Sequence, residues 1–253
     1  MPVLHTKNGH VSTLTLNRPP ANTMTQAAFE KLDELLHELE TDKTTRVIVI
    51  TGQGEKGFSA GFDLSEAANS GTVHQLAQQI CNKIEAYPKP IIAAINGYAL
   101  GGGCEIAMSC HIRMMTNSPK ALIGLPESNL GVLPVWGGTQ RLPKLIGKAK
   151  AIEMMAFSEK ISGEEALAIG LIDHLFTAEA FQHEVQSFTQ RLAKRPPLAV
   201  SAILKSIHAG EQQGLEKGLQ AELDEVLTLG GSKDAMEGIQ AFFQKREPVF
   251  TGQ

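Results

Sequence analysis

The sequence predicts an α/β fold followed by an all-helical C-terminal region. Three observations lead there. Short apolar or β-branched runs recur between residues 11 and 125, amphipathic segments of helical spacing separate them, and beyond Lys194-Arg195-Pro196-Pro197 only helical patterns remain. With 253 residues, 42% apolar and 20% charged, the chain is long enough for one large core or for a core with a smaller appendage. The Pro-containing break divides an expected α/β core, residues 1–194, from a helical region, residues 195–253.

Val11 to Asn17 reads as a half-buried strand, with Leu14 and Leu16 on one face, ended by Arg18-Pro19-Pro20. Thr23 and Gln26 fit a capping box, after which Phe29, Leu32, Leu35, Leu36 and Leu39 recur at helical spacing. Arg46 to Thr51 is a β-branched run, a second buried strand that is parallel if the preceding helix serves as a crossover. Val73, Leu76, Ala77, Ile80, Ile84 and Tyr87 mark a helix leading to Ile91–Ile95, a strand buried on both faces and opened by Pro90. His111–Thr116 and Ala121–Leu125 read as short strands, and Gly137-Gly138 opens another helix. Helical patterns follow at 148–157, 163–169, 179–192, 198–208, 215–229 and 234–244.

The stretch KPIIAAINGYALGGGCEIAMSC, Lys89 to Cys110, is the one around which the chain is organised. After the strand, Asn96-Gly97 turns the chain, and Gly101, Gly102 and Gly103 stand where a buried helix begins. Free N–H groups at such a helix start meet a positive dipole end with no Cβ in the way, which outlines an oxyanion site. Glu105 falls in the first turn, where it is either a functional carboxylate or one that only complements the dipole.

Net charge is −4 and no basic cluster is interleaved with aromatics, so a nucleic-acid footprint is not supported. No apolar run approaches the ~18 residues of a membrane span, and the first ten residues lack a leader pattern, so a cytoplasmic protein is expected. Three cysteines without a CxxC pair argue against a disulfide framework or a zinc site, and the eight histidines lack metal-ligand spacing. Two motifs have form without context. Gly52 to Gly57 satisfies GxGxxG but leads into a non-helical stretch, whereas a dinucleotide site needs it to open a helix. Gly57 to Gly61 satisfies GxSxG, yet the preceding strand ends eight positions before Ser59. Cys104 beside Glu105 is more simply a buried helical thiol than a nucleophile.

Taken together, FSAGFDL (58–64), NGYALGGGCE (96–105), LPESNLG (125–131), GGTQRL (137–142) and ISGEEALAIGLID (161–173) resemble the enoyl-CoA hydratase/isomerase family, the crotonase superfamily. The resemblance spans nearly the whole chain. It implies a spiral of ββα turns with a helical C-terminal region used for oligomerisation, acyl-CoA thioester substrates, and trimers or dimers of trimers. It also implies fatty-acid β-oxidation chemistry without metal or redox cofactor.

By the same resemblance the backbone N–H groups of Phe62 and Gly102 are the oxyanion donors, Glu105 activates water and Glu127 delivers a proton. Ala60, Asp63, Leu64, Val135 and Trp136 are implied substrate contacts. Phe242 and Lys245, in an ending that resembles a family tail covering CoA, are candidates as well. Two carboxylates in one desolvated pocket suit hydration because crowding pushes their pKa values apart. The reverse assignment of acid and base stays open on the sequence, as do a Δ3,Δ2-enoyl-CoA isomerase, for which one carboxylate suffices, and a non-catalytic acyl-CoA binder. Three departures stand out: Phe62 where small residues are usual, a loop between Cys110 and Pro126 about two residues longer than usual, and Val135-Trp136 in place of a small Gly-rich segment. That bulk predicts a preference for short enoyl chains. The stripe Leu215, Leu219, Leu223, Val226 and Leu227 is expected to cover a subunit contact or to pack on its own core.

Overall fold

Alternation along single strands sorts the core into two faces. Ile48 and Ile50 of β3 (Val47–Gly52) and Ile91, Ala93 and Ile95 of β5 (Ile91–Ile95) pack in one apolar cluster, while Val47, Val49, Ile92 and Ala94 pack in another. Both faces are therefore covered, as continuous β-branched runs require. The computed structural model describes residues 1–54 and 56–253, with Asn69 described by its backbone alone.

The six-stranded sheet runs β1-β2-β3-β5-β7-β10, where β1 is Val3–Asn8, β2 Val11–Leu16, β7 Ile112–Thr116 and β10 His174–Phe176. Within this sheet β1 and β2 pair antiparallel and the other neighbours are parallel. A second sheet runs β4-β6-β8-β9, with β4 at Gly57–Ser59, β6 at Tyr98–Leu100, β8 at Leu122–Gly124 and β9 at Lys160–Ser162. Successive turns of chain thus lay one strand in the long sheet and one in the short sheet before a helix follows. The units are β3-β4-α2 (α2, Ser70–Glu85), β5-β6-α3 (α3, Gly102–Ser109) and β7-β8-α4 (α4, Gly138–Ile146).

Helix α1 (Gln26–Thr41) buries Ala28, Phe29, Leu32, Leu35, Leu36 and Leu39, and each fully buried large side chain contributes about 1.5–3 kcal/mol. Its cap differs from the sequence expectation. Thr25, not Thr23, accepts from the Ala28 N–H at 3.2 Å, and Thr23 instead donates to Asp63. Four short strands, β4, β6, β9 and β10, and the edge strand β1 escape the periodicity reading. Three residues give too few alternations, and β1 exposes most of its side chains. After α5 (Lys148–Ala156), α6 (Gly163–Ala168) and α7 (Phe181–Ala193), the chain ends in α8 (Pro197–Gln213), α9 (Leu215–Leu229) and α10 (Lys233–Gln244). Helices α8 and α9 fold back on one another across Gly210 and Gly218, where a Cβ on Gly218 would lie 2.9 Å from the Gly210 Cα. No described helix is long and apolar enough to cross a membrane.

Candidate active site

The site grows from the start of α3. Gly101 holds φ +54°, a value that favours glycine, and its N–H donates to the Gly124 carbonyl at 2.9 Å, which ties the α3 start to β8. Gly102 has no room for a side chain, since a Cβ there would fall among Cζ3, Cε3 and Cη2 of the Trp136 ring. Across from it, Met24 forms a parallel bridge with Phe62, using the Gly61 carbonyl (2.7 Å) and the Asp63 N–H (3.1 Å). Phe62's own N–H points away from that bridge. A Cβ on Gly61 would lie 2.5 Å from the Gly102 nitrogen, so the two backbones touch. Among the described residues neither the Phe62 nor the Gly102 N–H has an intramolecular acceptor. Two adjacent unspent donors beside a helix N-terminus can together stabilise an anion.

Glu105, in the first turn of α3, is 1% exposed, and its Oε1 accepts the backbone N–H groups of Trp136 and Gly138, each at 2.7 Å. Burial pushes its pKa up to about 7, the Gly138 and Trp136 N–H groups oppose that shift, and Glu127 adds to it. Glu127 opens the 3₁₀ turn Glu127–Leu130 after β8, and burial again pushes its pKa to about 7 against its own backbone N–H. The two carboxyls are thus raised alike and not driven apart as the crowding argument expects; desolvation of each outweighs their mutual repulsion. Its Oε2 is buried with no hydrogen-bond partner, and its Oε1 lies 3.1 Å from where a Gly101 Cβ would stand. Both carboxyls, with Gly101 and Gly102, line one cavity of about 440 Å³.

Of the residues expected from the sequence, Ala60, Phe62, Leu64, Gly102, Glu105, Glu127, Val135 and Trp136 line that cavity. Asp63, Phe242 and Lys245 do not. Asp63 caps the 3₁₀ turn Leu64–Asn69 and pairs with Arg18 at 2.6 Å, and Ser65's hydroxyl leads the contacts that hold its carboxyl below the usual range. Phe242 is 77% exposed on α10, and Lys245 caps that helix in a left-handed conformation.

Trp136 is fully buried. Its ring meets Phe29 edge-on at 4.9 Å, its carbonyl accepts from Arg141 at 2.9 Å, and its indole N–H donates to His74 Nδ1 at 3.0 Å. Arg141 is fixed in turn by Asn82 and Glu85 of α2, both at 2.8 Å. The sequence reading missed His74, which sits between two core positions of α2 and lines the cavity. The available signal was Trp136 itself, because a buried indole N–H usually has a partner.

The two rejected motifs stay outside the chemistry. In Gly52–Gly57, Glu55 lies outside the described residues, and Gly57 starts strand β4 instead of a helix. Ser59 is buried in β4, where its hydroxyl donates to the Asn22 carbonyl at 2.7 Å and accepts the Gly61 N–H. Burial holds the Cys104 thiol far above the range of a nucleophile. Among the described residues no group of three or more His, Cys, Asp or Glu side chains is placed to hold a metal ion.

A family model described as enoyl-CoA hydratase/isomerase matches residues 6–253. A probable enoyl-CoA hydratase of Bacillus subtilis strain 168 is 41% identical over 96% of this chain and 96% of its own length. A short-chain-enoyl-CoA hydratase of Clostridium acetobutylicum is 34% identical over 97% and 95%. The crystal structure of an enoyl-CoA hydratase from Bacillus anthracis superposes with a TM-score of 0.96 at 35% identity, covering 100% of both chains.

Proposed function

The chain belongs to the enoyl-CoA hydratase/isomerase family, and from that premise we propose that it is an enoyl-CoA hydratase, adding water reversibly to a 2-trans-enoyl-CoA to give the 3-hydroxyacyl-CoA. The observation that carries this reading is the contrast in hydrogen bonding at the two carboxyls on one cavity. Glu105 accepts two N–H groups, which favours its ionised form, whereas Glu127 has a buried oxygen without a donor, which favours its protonated form. This contrast biases Glu105 toward the base and Glu127 toward the acid that hydration needs, while burial raises both pKa values alike.

In the reaction the thioester oxygen lies between the N–H groups of Phe62 and Gly102. Glu105 takes a proton from water as its oxygen bonds to C3, the π electrons move into the thioester as an enolate, and Glu127 protonates C2. Each oxyanion donor is worth roughly 3 kcal/mol of transition-state stabilisation. The chemistry needs no cofactor beyond the CoA of the substrate. Ala60, Leu64, Val135 and Trp136 hold the acyl group, while Asp63, Phe242 and Lys245 are kept for CoA contacts outside the cavity. The Trp136 ring fills space against Gly102, which supports a preference for short enoyl chains.

The homotrimer, or dimer of trimers, is supported by the α9 stripe. Leu215, Leu219, Leu223, Val226 and Leu227 are all at least half exposed in the single chain, so they do not pack on its own core. Cys81, Cys104 and Cys110 are buried free thiols, which suits the cytoplasm. Crotonyl-CoA mixed with the protein should lose its enoyl-thioester ultraviolet absorbance. Persistence of that absorbance, with vinylacetyl-CoA converted instead, would replace the hydratase by an isomerase.

A further inference from the structure

The cavity wall beyond the oxyanion hole holds a donor that the proposed reaction does not use. The benzo edge of Trp136 lies on Gly102, and the opposite, pyrrole edge donates its N–H to His74 Nδ1 at 3.0 Å. An indole N–H can only donate, so Nδ1 accepts and the single proton of neutral His74 is fixed on Nε2. Phe62, whose backbone N–H belongs to the proposed hole, packs its ring against the imidazole with centroids 4.8 Å apart and planes tilted by 55°. Nε2 has no hydrogen-bond partner among the described residues and is not a fully buried atom, and His74 lines the cavity. Ser70, one helical turn earlier on α2, lines the same wall. Apart from these two and the two glutamates, the side chains lining the cavity are apolar among the described residues.

We propose that His74 is a specificity-determining residue that selects acyl-CoA substrates whose tail carries a neutral hydrogen-bond acceptor, such as a keto oxygen, one indole width beyond the thioester. This rests on the acyl-CoA reading of the cavity given above. The acceptor is neutral for two reasons. No Lys or Arg side chain lines the cavity to balance a carboxylate, and two glutamates already share it. Protonating His74 to supply the charge would cost it the Trp136 bond, and burial already disfavours the imidazolium. A purely alkyl tail would leave Nε2–H desolvated and unpaired, the situation in which a hydrogen-bonding pocket rejects an isostere.

The test uses saturated thioesters that bind without being hydrated: 5-oxohexanoyl-CoA, hexanoyl-CoA and adipyl-CoA, titrated calorimetrically into the full-length protein. The oxo compound should bind about fivefold tighter than hexanoyl-CoA, the worth of one net hydrogen bond, and adipyl-CoA should bind weakest. His74→Leu should bring the oxo-to-hexanoyl ratio to about one. His74→Gln should keep most of it, because a carboxamide can accept from the indole and still present an N–H. A ratio near one in the wild type, an unchanged ratio in His74→Leu, or adipyl-CoA binding tightest would each overturn the proposal while leaving the acyl-CoA reading intact. Failure of all three to bind would remove both.

Discussion

Glu105 and Glu127 face the same cavity and both titrate near 7, yet the two regions that carry them are built differently. Glu105 lies at the junction of α3 and α4, where one oxygen is clamped by two N–H groups at the α4 start, and Arg141 and α2 brace Trp136 behind it. Glu127 sits in a single 3₁₀ turn between β8 and an exposed apolar loop, with one oxygen unpartnered. Burial raises both pKa values, but the α3–α4 junction supplies two N–H groups to the charged form of Glu105, whereas Glu127 is opposed only by its own backbone N–H. The same perturbed value therefore marks a site prepared to hold a charge in one case and a proton in the other.

Replacing each carboxylate in turn probes that contrast with the largest expected effect. Glu105→Gln and Glu127→Gln should each lower crotonyl-CoA hydration by roughly 10²- to 10⁴-fold in kcat while acyl-CoA binding survives. Glutamine at 105 can still accept from Trp136 and Gly138, so the junction should remain intact. Near-wild-type hydration in either variant would break the pairing. Isomerase turnover that survives Glu105→Gln but not Glu127→Gln would show that one carboxylate suffices.

The pH dependence of stability sharpens the comparison at an intermediate scale. Glu105 titrates near 7 in the folded protein and at roughly 4.3 in the unfolded chain. Between those values the folded state holds a proton that the unfolded state has released, so unfolding releases protons and stability falls as pH rises through the window. For a group this buried the swing is on the order of 3 kcal/mol. His111, pushed down to about 4 by burial, opposes the trend below pH ~6.5, so the wild-type curve alone is ambiguous. The difference between Glu105→Gln and wild type isolates the effect. The variant should gain relative stability from pH 5 to 8, read as a widening gap in chemical-denaturation midpoints. A gap that stays constant with pH would mean that burial does not raise the Glu105 pKa.

The sequence made the α/β alternation and the helical C-terminal region legible because Ile, Val and Leu runs there are long enough to display a period. It also made about half of the cavity wall legible, Gly101–Gly103 and Glu105 from a local helix-start pattern and the residues around Phe62, Glu127 and Trp136 from the family resemblance of their motifs. What it hid depends on distance. The bridge between Met24 and Phe62, the pairing of Arg18 with Asp63 and the bond from Trp136 to His74 join residues 38, 45 and 62 positions apart, with no periodic signature linking the partners. The cap is hidden in the same way, because Thr23 and Thr25 both precede the helix and the tertiary partner Asp63 engages Thr23, which leaves Thr25 to cap.

The smallest effect expected concerns how the Glu127 turn is held. Ser158, at φ +54°, accepts the Asn129 N–H at 3.0 Å and donates to the Ser128 hydroxyl at 2.6 Å, which itself donates to the Ala156 carbonyl at 3.0 Å. This chain of bonds clips the 3₁₀ turn onto the end of α5 and has no counterpart at Glu105. Ser158→Ala removes the hydroxyl and keeps a Cβ in the left-handed region, so it should lower stability by about 1–2 kcal/mol. Ser158→Gly removes the same hydroxyl but relieves the backbone, so its stability loss should be smaller by about 1 kcal/mol. If the clip positions Glu127, both variants should show the same few-fold loss in kcat despite their different stabilities. A kcat that follows stability instead, with Ser158→Gly indistinguishable from wild type, would show that the turn holds Glu127 without its serine clip.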